Sequence, residues 1–153
     1  MIQTTAVTQG TTETSIGTTN NTWVDTVVTA SITTTSDDSD VLIFVALSAH
    51  VSNDSGDAGY SLRMKRGGTP STAYPDSLSD WAAGSTHSDW YQNPQGDTTT
   101  KVVRYNLVFL DSPEHDAASI TYTLQGSGYN VEYLSLGGGY GAFWMIFFQE
   151  IKR

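Results

Sequence analysis

The sequence predicts an all-β domain, a sandwich of antiparallel strands, and three observations predict it. Thr, Ser, Asp, Asn and Gly dominate the polar positions, and none of these is a good helix former. Short β-prone runs recur along the chain, bounded by turn residues. Several runs alternate apolar and polar side chains with a period of two, the signature of a strand packed on one side.

Taken in order, the first expected strands run from Thr14 to Thr18 and from Thr22 to Thr33. The turn Asp37-Asp38-Ser39-Asp40 then leads into a strand from Val41 to Val51. Tyr60 to Lys65 follows and ends at the turn Arg66-Gly67-Gly68-Thr69, with a short strand at Ser71 to Tyr74. Lys101 to Leu110 places Val103, Tyr105, Leu107 and Phe109 on one face. Ser119 to Gln125 places Ile120, Tyr122 and Leu124 on one face and Ser119, Thr121 and Thr123 on the other. Gly126-Ser127-Gly128 reads as a turn before Tyr129 to Leu136. Gly137-Gly138-Gly139 reads as another before the last strand, Ala142 to Ile151. Residues 1–20, rich in Thr, Asn and Gly, read as an extended N-terminal arm, and residues 21–153 as one β domain. Strands this short and this many give jelly-roll proportions.

The 153 residues suit one domain, which can bury roughly 70% of its unfolded surface. Seven Lys and Arg face sixteen Asp and Glu, for a net charge of -9, which argues against a nucleic-acid partner. The first basic residue is Arg63, so the N-terminal part presents an acidic, hydroxyl-rich surface. Packed DNA would repel that surface, which fits an outward-facing protein better. There are no cysteines, which excludes disulfides, thiolate metal sites and Cys nucleophiles. No basic and apolar leader follows Met1, and the longest apolar run, Val41 to Leu47, is far short of the roughly 20 residues of a membrane helix. Neither export nor a membrane partner is expected.

Two strands break the one-sided rule. Val41 to Leu47 and Ala142 to Phe148 are apolar on both faces. An exposed Phe or Trp forfeits roughly 1.5–3 kcal/mol of burial, so a second apolar face points to a cover. The expected cover is a neighbouring copy, with Phe44, Trp144, Ile146 and Phe148 at the oligomer interface. The alternative is a loop or the N-terminal arm of the same chain. A long connection, Pro75 to Thr99, carries Trp81, Trp90 and Tyr91. Loops beyond about 12–15 residues are usually functional or disordered. These aromatics are expected to contact a partner; alternatively they fold over the sandwich.

No catalytic constellation emerges, and no enzyme is expected. There is no GxSxG elbow, and His50, His87 and His115 lack a triad setting. Gly137-Gly138-Gly139-Tyr140-Gly141 has no following Lys-Ser/Thr and precedes a strand, so it is not a phosphate cradle. The acidic groups Asp37, Asp38 and Asp40, Asp54 and Asp57, and Glu114 and Asp116 match no EF-hand spacing; they read as solvated turns, with no metal or cofactor. No carboxylate pair is singled out for glycoside hydrolysis. Asn20-Asn21-Thr22 and Asn53-Asp54-Ser55 fit a glycosylation sequon that is common by chance.

Several segments resemble a group of bacteriophage virion structural proteins. Asn21-Thr22-Trp23-Val24-Asp25-Thr26, continued by Val28 to Thr33, is similar to the group's Trp-containing opening strand. Ser36 to Leu47 is similar to its Ser/Asp turn and apolar strand, and Tyr60 to Thr69 to its strand ending in Arg-Gly-Ser/Thr. Phe109-Leu110-Asp111-Ser112-Pro113, followed by Ala118 to Gln125, resembles its Leu-Asp-Ser-Pro turn and Thr-Tyr-rich strand. The last strand, ending at Glu150-Ile151, also fits. The likeness runs in order from Thr11 to Ile151, except at Pro75 to Asn93, where the group carries a shorter stretch without these tryptophans.

The resemblance implies a jelly-roll sandwich of the tumour-necrosis-factor or C1q kind, assembled as a homotrimer in a virion. Two roles follow as expectations. One is a capsid decoration, or cement, protein bound to the major capsid protein through the N-terminal arm and loops. The other is a receptor-binding tip or tail-fibre domain holding a host surface glycan with Trp81, Trp90 and Tyr91.

Overall fold

A computed structural model describes residues 2–16, 22–36, 38–52, 59–67, 72–74, 101–112, 119–129, 133–137 and 143–152. Among these the chain forms ten strands and no helix: β1 (Ile2–Gly10), β2 (Thr14–Ser15), β3 (Val24–Thr33), β4 (Ser39–Ser52), β5 (Gly59–Arg66), β6 (Thr72–Tyr74), β7 (Lys101–Asp111), β8 (Ser119–Tyr129), β9 (Tyr133–Leu136) and β10 (Trp144–Lys152). They pair antiparallel in two sheets. The first sheet runs β1-β10-β4-β9-β2, with β7 on the free side of β4. The second runs β3-β8-β5-β6. The chain changes sheet between β2 and β3, β3 and β4, β4 and β5, β6 and β7, β7 and β8, and β8 and β9. The result is a jelly-roll sandwich, β1-β10-β4-β7 on β3-β8-β5-β6.

The core lies between the inner faces. Val41, Ile43, Val45 and Leu47 of β4 and Ile146 and Phe148 of β10 meet Val28, Ile32, Met64, Ile120, Tyr122 and Leu124 of the second sheet. The Tyr122 and Phe148 rings stand 5.5 Å apart at 42°. The alternation read from the sequence in β7 and β8 holds: Leu107, Ile120, Tyr122 and Leu124 are buried.

Two segments differ from the sequence reading. Ile2–Gly10, expected in an extended arm, is β1, and it hydrogen-bonds along β10 of its own chain from Ile2↔Ile151 to Gly10↔Trp144. A Thr- and Val-bearing stretch next to an open strand edge gains a ladder of backbone bonds by joining it. Gly126-Ser127-Gly128, expected as a turn, lies inside β8 and is buried. A Cβ on Gly126 would fall 2.6 Å from Leu136 Cδ1 and 3.1 Å from Ile16 Cδ1, so glycine serves close approach there, not chain reversal. Gly137, at φ 100°, does mark a turn, where β9 ends.

Polar groups tie the two sheets together. Arg66 of β5 donates from Nη1 to both carboxylate oxygens of Asp111 of β7, at 3.2 and 3.1 Å, and Tyr122 of β8 donates to Asp111 Oδ2 at 2.7 Å. The hydroxyls of Tyr60 (β5) and Tyr105 (β7) also hydrogen-bond across the sandwich. At one end Glu150 accepts bonds from the Thr35 amide at 2.7 Å and from Ser39 Oγ at 2.6 Å, pinning the β3–β4 turn to β10.

Candidate self-association face

Period-two geometry sends alternate residues of β4 and β10 to opposite sides. Val41, Ile43, Val45 and Leu47, with Trp144, Ile146, Phe148 and Glu150, point inward and are buried. Leu42, Phe44 and Ala46, with Met145, Phe147 and Gln149, point outward and are only partly buried. On β7 the outward residues are Val102, Arg104, Asn106, Val108 and Leu110, all exposed.

Cross-strand register joins these outward side chains into one strip. Phe44 lies opposite Phe147 on one side and Val108 on the other; Leu42 lies opposite Leu110, and Ala46 opposite Met145. The Phe44 and Phe147 rings pack at 5.6 Å and 44°. Val108 is 59% exposed, Leu110 56% and Phe143, just before β10, 53%. Two clefts flank Phe143, one of about 340 Å³ lined by Gln9, Gly10 and Thr11, the other of about 100 Å³ reaching Ser48, Arg104 and Asn106. Asp40 stands at one end of the strip and Arg104 at the other, since Asp40 pairs with Ile151 and Ser48 with Arg104.

The outer face of the second sheet is its chemical opposite. Thr29 and Thr123 hydroxyls meet at 2.9 Å and Ser31 and Thr121 hydroxyls at 2.7 Å across β3 and β8. Lys65 pairs with Asp25 at 3.2 Å, and Arg63 sits 4.2 Å over the Trp23 ring. That sheet presents a wet face of the usual kind, whereas the first is apolar on both sides.

Of the interface residues expected from the sequence, Phe44 lies on the outer face. Trp144, Ile146 and Phe148 do not: they point into the chain's own core, Ile146 and Phe148 at 0% exposure. In a strand apolar at every position, side-chain parity has no sequence signal, and a one-residue error in phase exchanges the faces. The residues that take their place are Met145, Phe147 and Phe143. Val108 and Leu110 were legible, because the strand beginning at Lys101 has its inner set at Val103, Tyr105, Leu107 and Phe109. Trp81, Trp90 and Tyr91, and the histidines at 87 and 115, lie outside the described residues. His50 is buried in β4.

Among the described residues no group of three or more His, Asp or Glu is placed to hold a metal ion, and no helix is long and apolar enough to cross a membrane. No family model, no curated protein and no solved structure matches the chain.

Proposed function

We propose that this chain is a non-catalytic structural protein that assembles with copies of itself, as a trimer decorating the outer surface of a phage capsid. The observation that carries the reading is the apolar strip Leu42, Phe44, Met145, Phe147, Val108 and Leu110 on the outer face of a sheet whose inner face already forms the core. Contiguous apolar surface of this kind marks an interface. Three copies with β10 and β4 toward a common axis would remove the strip from water and close the assembly.

The net charge of -9 supports an outward position on a particle full of DNA. The phage role itself rests on the sequence resemblance. The mechanism is mechanical: each trimer bridges neighbouring capsomers, and many weak contacts repeated over a shell add up to avidity. With Ile2–Gly10 committed to β1, contact with the major capsid protein falls to the loops rather than to an arm. Quantitative mass spectrometry of purified particles tests this role. Copy numbers comparable to the major capsid protein are expected; a handful of copies per particle would assign the chain to a tail tip instead.

A further inference from the structure

Edge strands are where sheet proteins meet one another unless something blunts them. Here the edges are not alike. β2 has two residues and β6 three, too short to offer a ladder. β1 is interrupted by a register shift between Thr5 and Val7, and β3 by another between Asp25 and Thr29. Bulges of this kind bend a strand and spoil pairing from outside. β7 has eleven residues and pairs with β4 from Lys101↔Val51 to Asp111↔Val41 without a shift. Among the described residues no strand lies on its other side. It also carries the exposed side chains Val102, Val108 and Leu110, which are 52%, 59% and 56% exposed.

We infer that β7 pairs antiparallel with β7 of a second copy of this chain, about a two-fold axis at Asn106. The register follows from the strand. The pairing that uses every residue of 101–111 is centred on Asn106, which then faces its own counterpart. Val102 of one copy lies opposite Leu110 of the other, and exposed apolar side chains shelter each other. Arg104 lies opposite Val108, so the two arginines do not meet. The apolar match of Val102 with Leu110 recurs on both sides of the midpoint, as an isologous contact requires.

This inference rests on the reading of the chain as self-assembling and adds a second contact to it. β10 and β4 lie toward the trimer axis, while β7 is the outermost strand of that sheet. The edge pairing therefore links a copy in one trimer to a copy in the next, the geometry a continuous coat needs.

The chain has no cysteine, which makes the register directly testable. Opposite residues of an antiparallel pair have Cα atoms about 4.5–5.5 Å apart, within disulfide reach. Asn106→Cys should therefore give a covalent dimer on mild oxidation of the full-length protein. Val102→Cys should give at least tenfold less, because the two copies of residue 102 would lie about 27 Å apart. Adding Val108→Arg to Asn106→Cys sets arginine against Arg104 and should reduce the crosslink about tenfold, whereas adding Val108→Glu should preserve it. Equal crosslinking at 102 and 106, or equal effects of Arg and Glu at 108, would overturn the pairing. Sedimentation of the same samples separates the two contacts: a trimer with no Asn106→Cys crosslink defeats the edge pairing alone, and a crosslinked dimer with no trimer defeats the three-fold reading alone.

Discussion

Phe44 and Phe147 stand opposite each other on adjacent strands, rings 5.6 Å apart, on the side of the first sheet that the chain's own core does not use. Their sequence neighbours Val45 and Phe148 point the other way and are buried. One residue of phase thus separates a core side chain from an interface side chain, and this separates two kinds of mutant.

Phe148→Ala should cost about 3–5 kcal/mol of folding stability, the usual loss for emptying a core aromatic site. Phe147→Lys should leave the stability of the isolated chain within about 1 kcal/mol and dissociate the assembly. Urea unfolding reads the first effect and sedimentation the second. Equal effects of the two substitutions on both measurements would mean that the outer strip is core.

Asp111 predicts a second stability contrast. Its carboxylate receives Arg66 and Tyr122 from the facing sheet and is 1% exposed. Asp111→Ala removes the buried carboxylate that Arg66 and Tyr122 share, breaking a buried ion pair, and should destabilise by about 3–5 kcal/mol. Tyr122→Phe removes one hydrogen bond to a charged acceptor and should cost about 1.5–3 kcal/mol. Denaturant midpoints for the two variants check the order.

How much of this was legible in the sequence follows from these residues. Period-two alternation in β7 and β8 fixed which side chains face inward, because polar residues occupy the other face. β4 and β10 gave no such contrast, so Trp144, Ile146 and Phe148 could be recognised as apolar but not assigned to a face. The role of Ile2–Gly10 was hidden for another reason. A Thr-rich segment becomes a strand only if a partner edge exists, and that edge, β10, lies at the other end of the chain. Gly126 carried a turn signal in a position where packing against Leu136 was the deciding constraint.

Gly126→Ala follows from that constraint. The added methyl would enter at 2.6 Å from Leu136 Cδ1, and overpacking of this kind should cost about 1–3 kcal/mol. The companion variant Gly126→Ala/Leu136→Ala opens space for the methyl. The pair should be less destabilising than the sum of its members, as a double-mutant cycle in urea would show.

Glu150 sets the acid limit. Burial pushes its carboxyl upward, but hydrogen bonds from Ser39 and Thr35 outweigh that, and its pKa lies below the ordinary value. A carboxylate with a lowered folded-state pKa adds stability above its unfolded value of about 4.3, and that stability is lost as pH falls through the folded value. Stability should therefore drop below about pH 4.3, and Glu150→Gln should flatten that part of the profile. Urea midpoints at a series of pH values check this. A wild-type slope retained in the variant would assign the acid sensitivity elsewhere.

Sedimentation equilibrium of the wild-type protein and Phe147→Lys at micromolar concentration tests the central claim most directly. The account predicts three chain masses, or a multiple of three where β7 edges also pair, for the wild type, and no more than two for the variant. A wild-type chain that sediments as a monomer would contradict it.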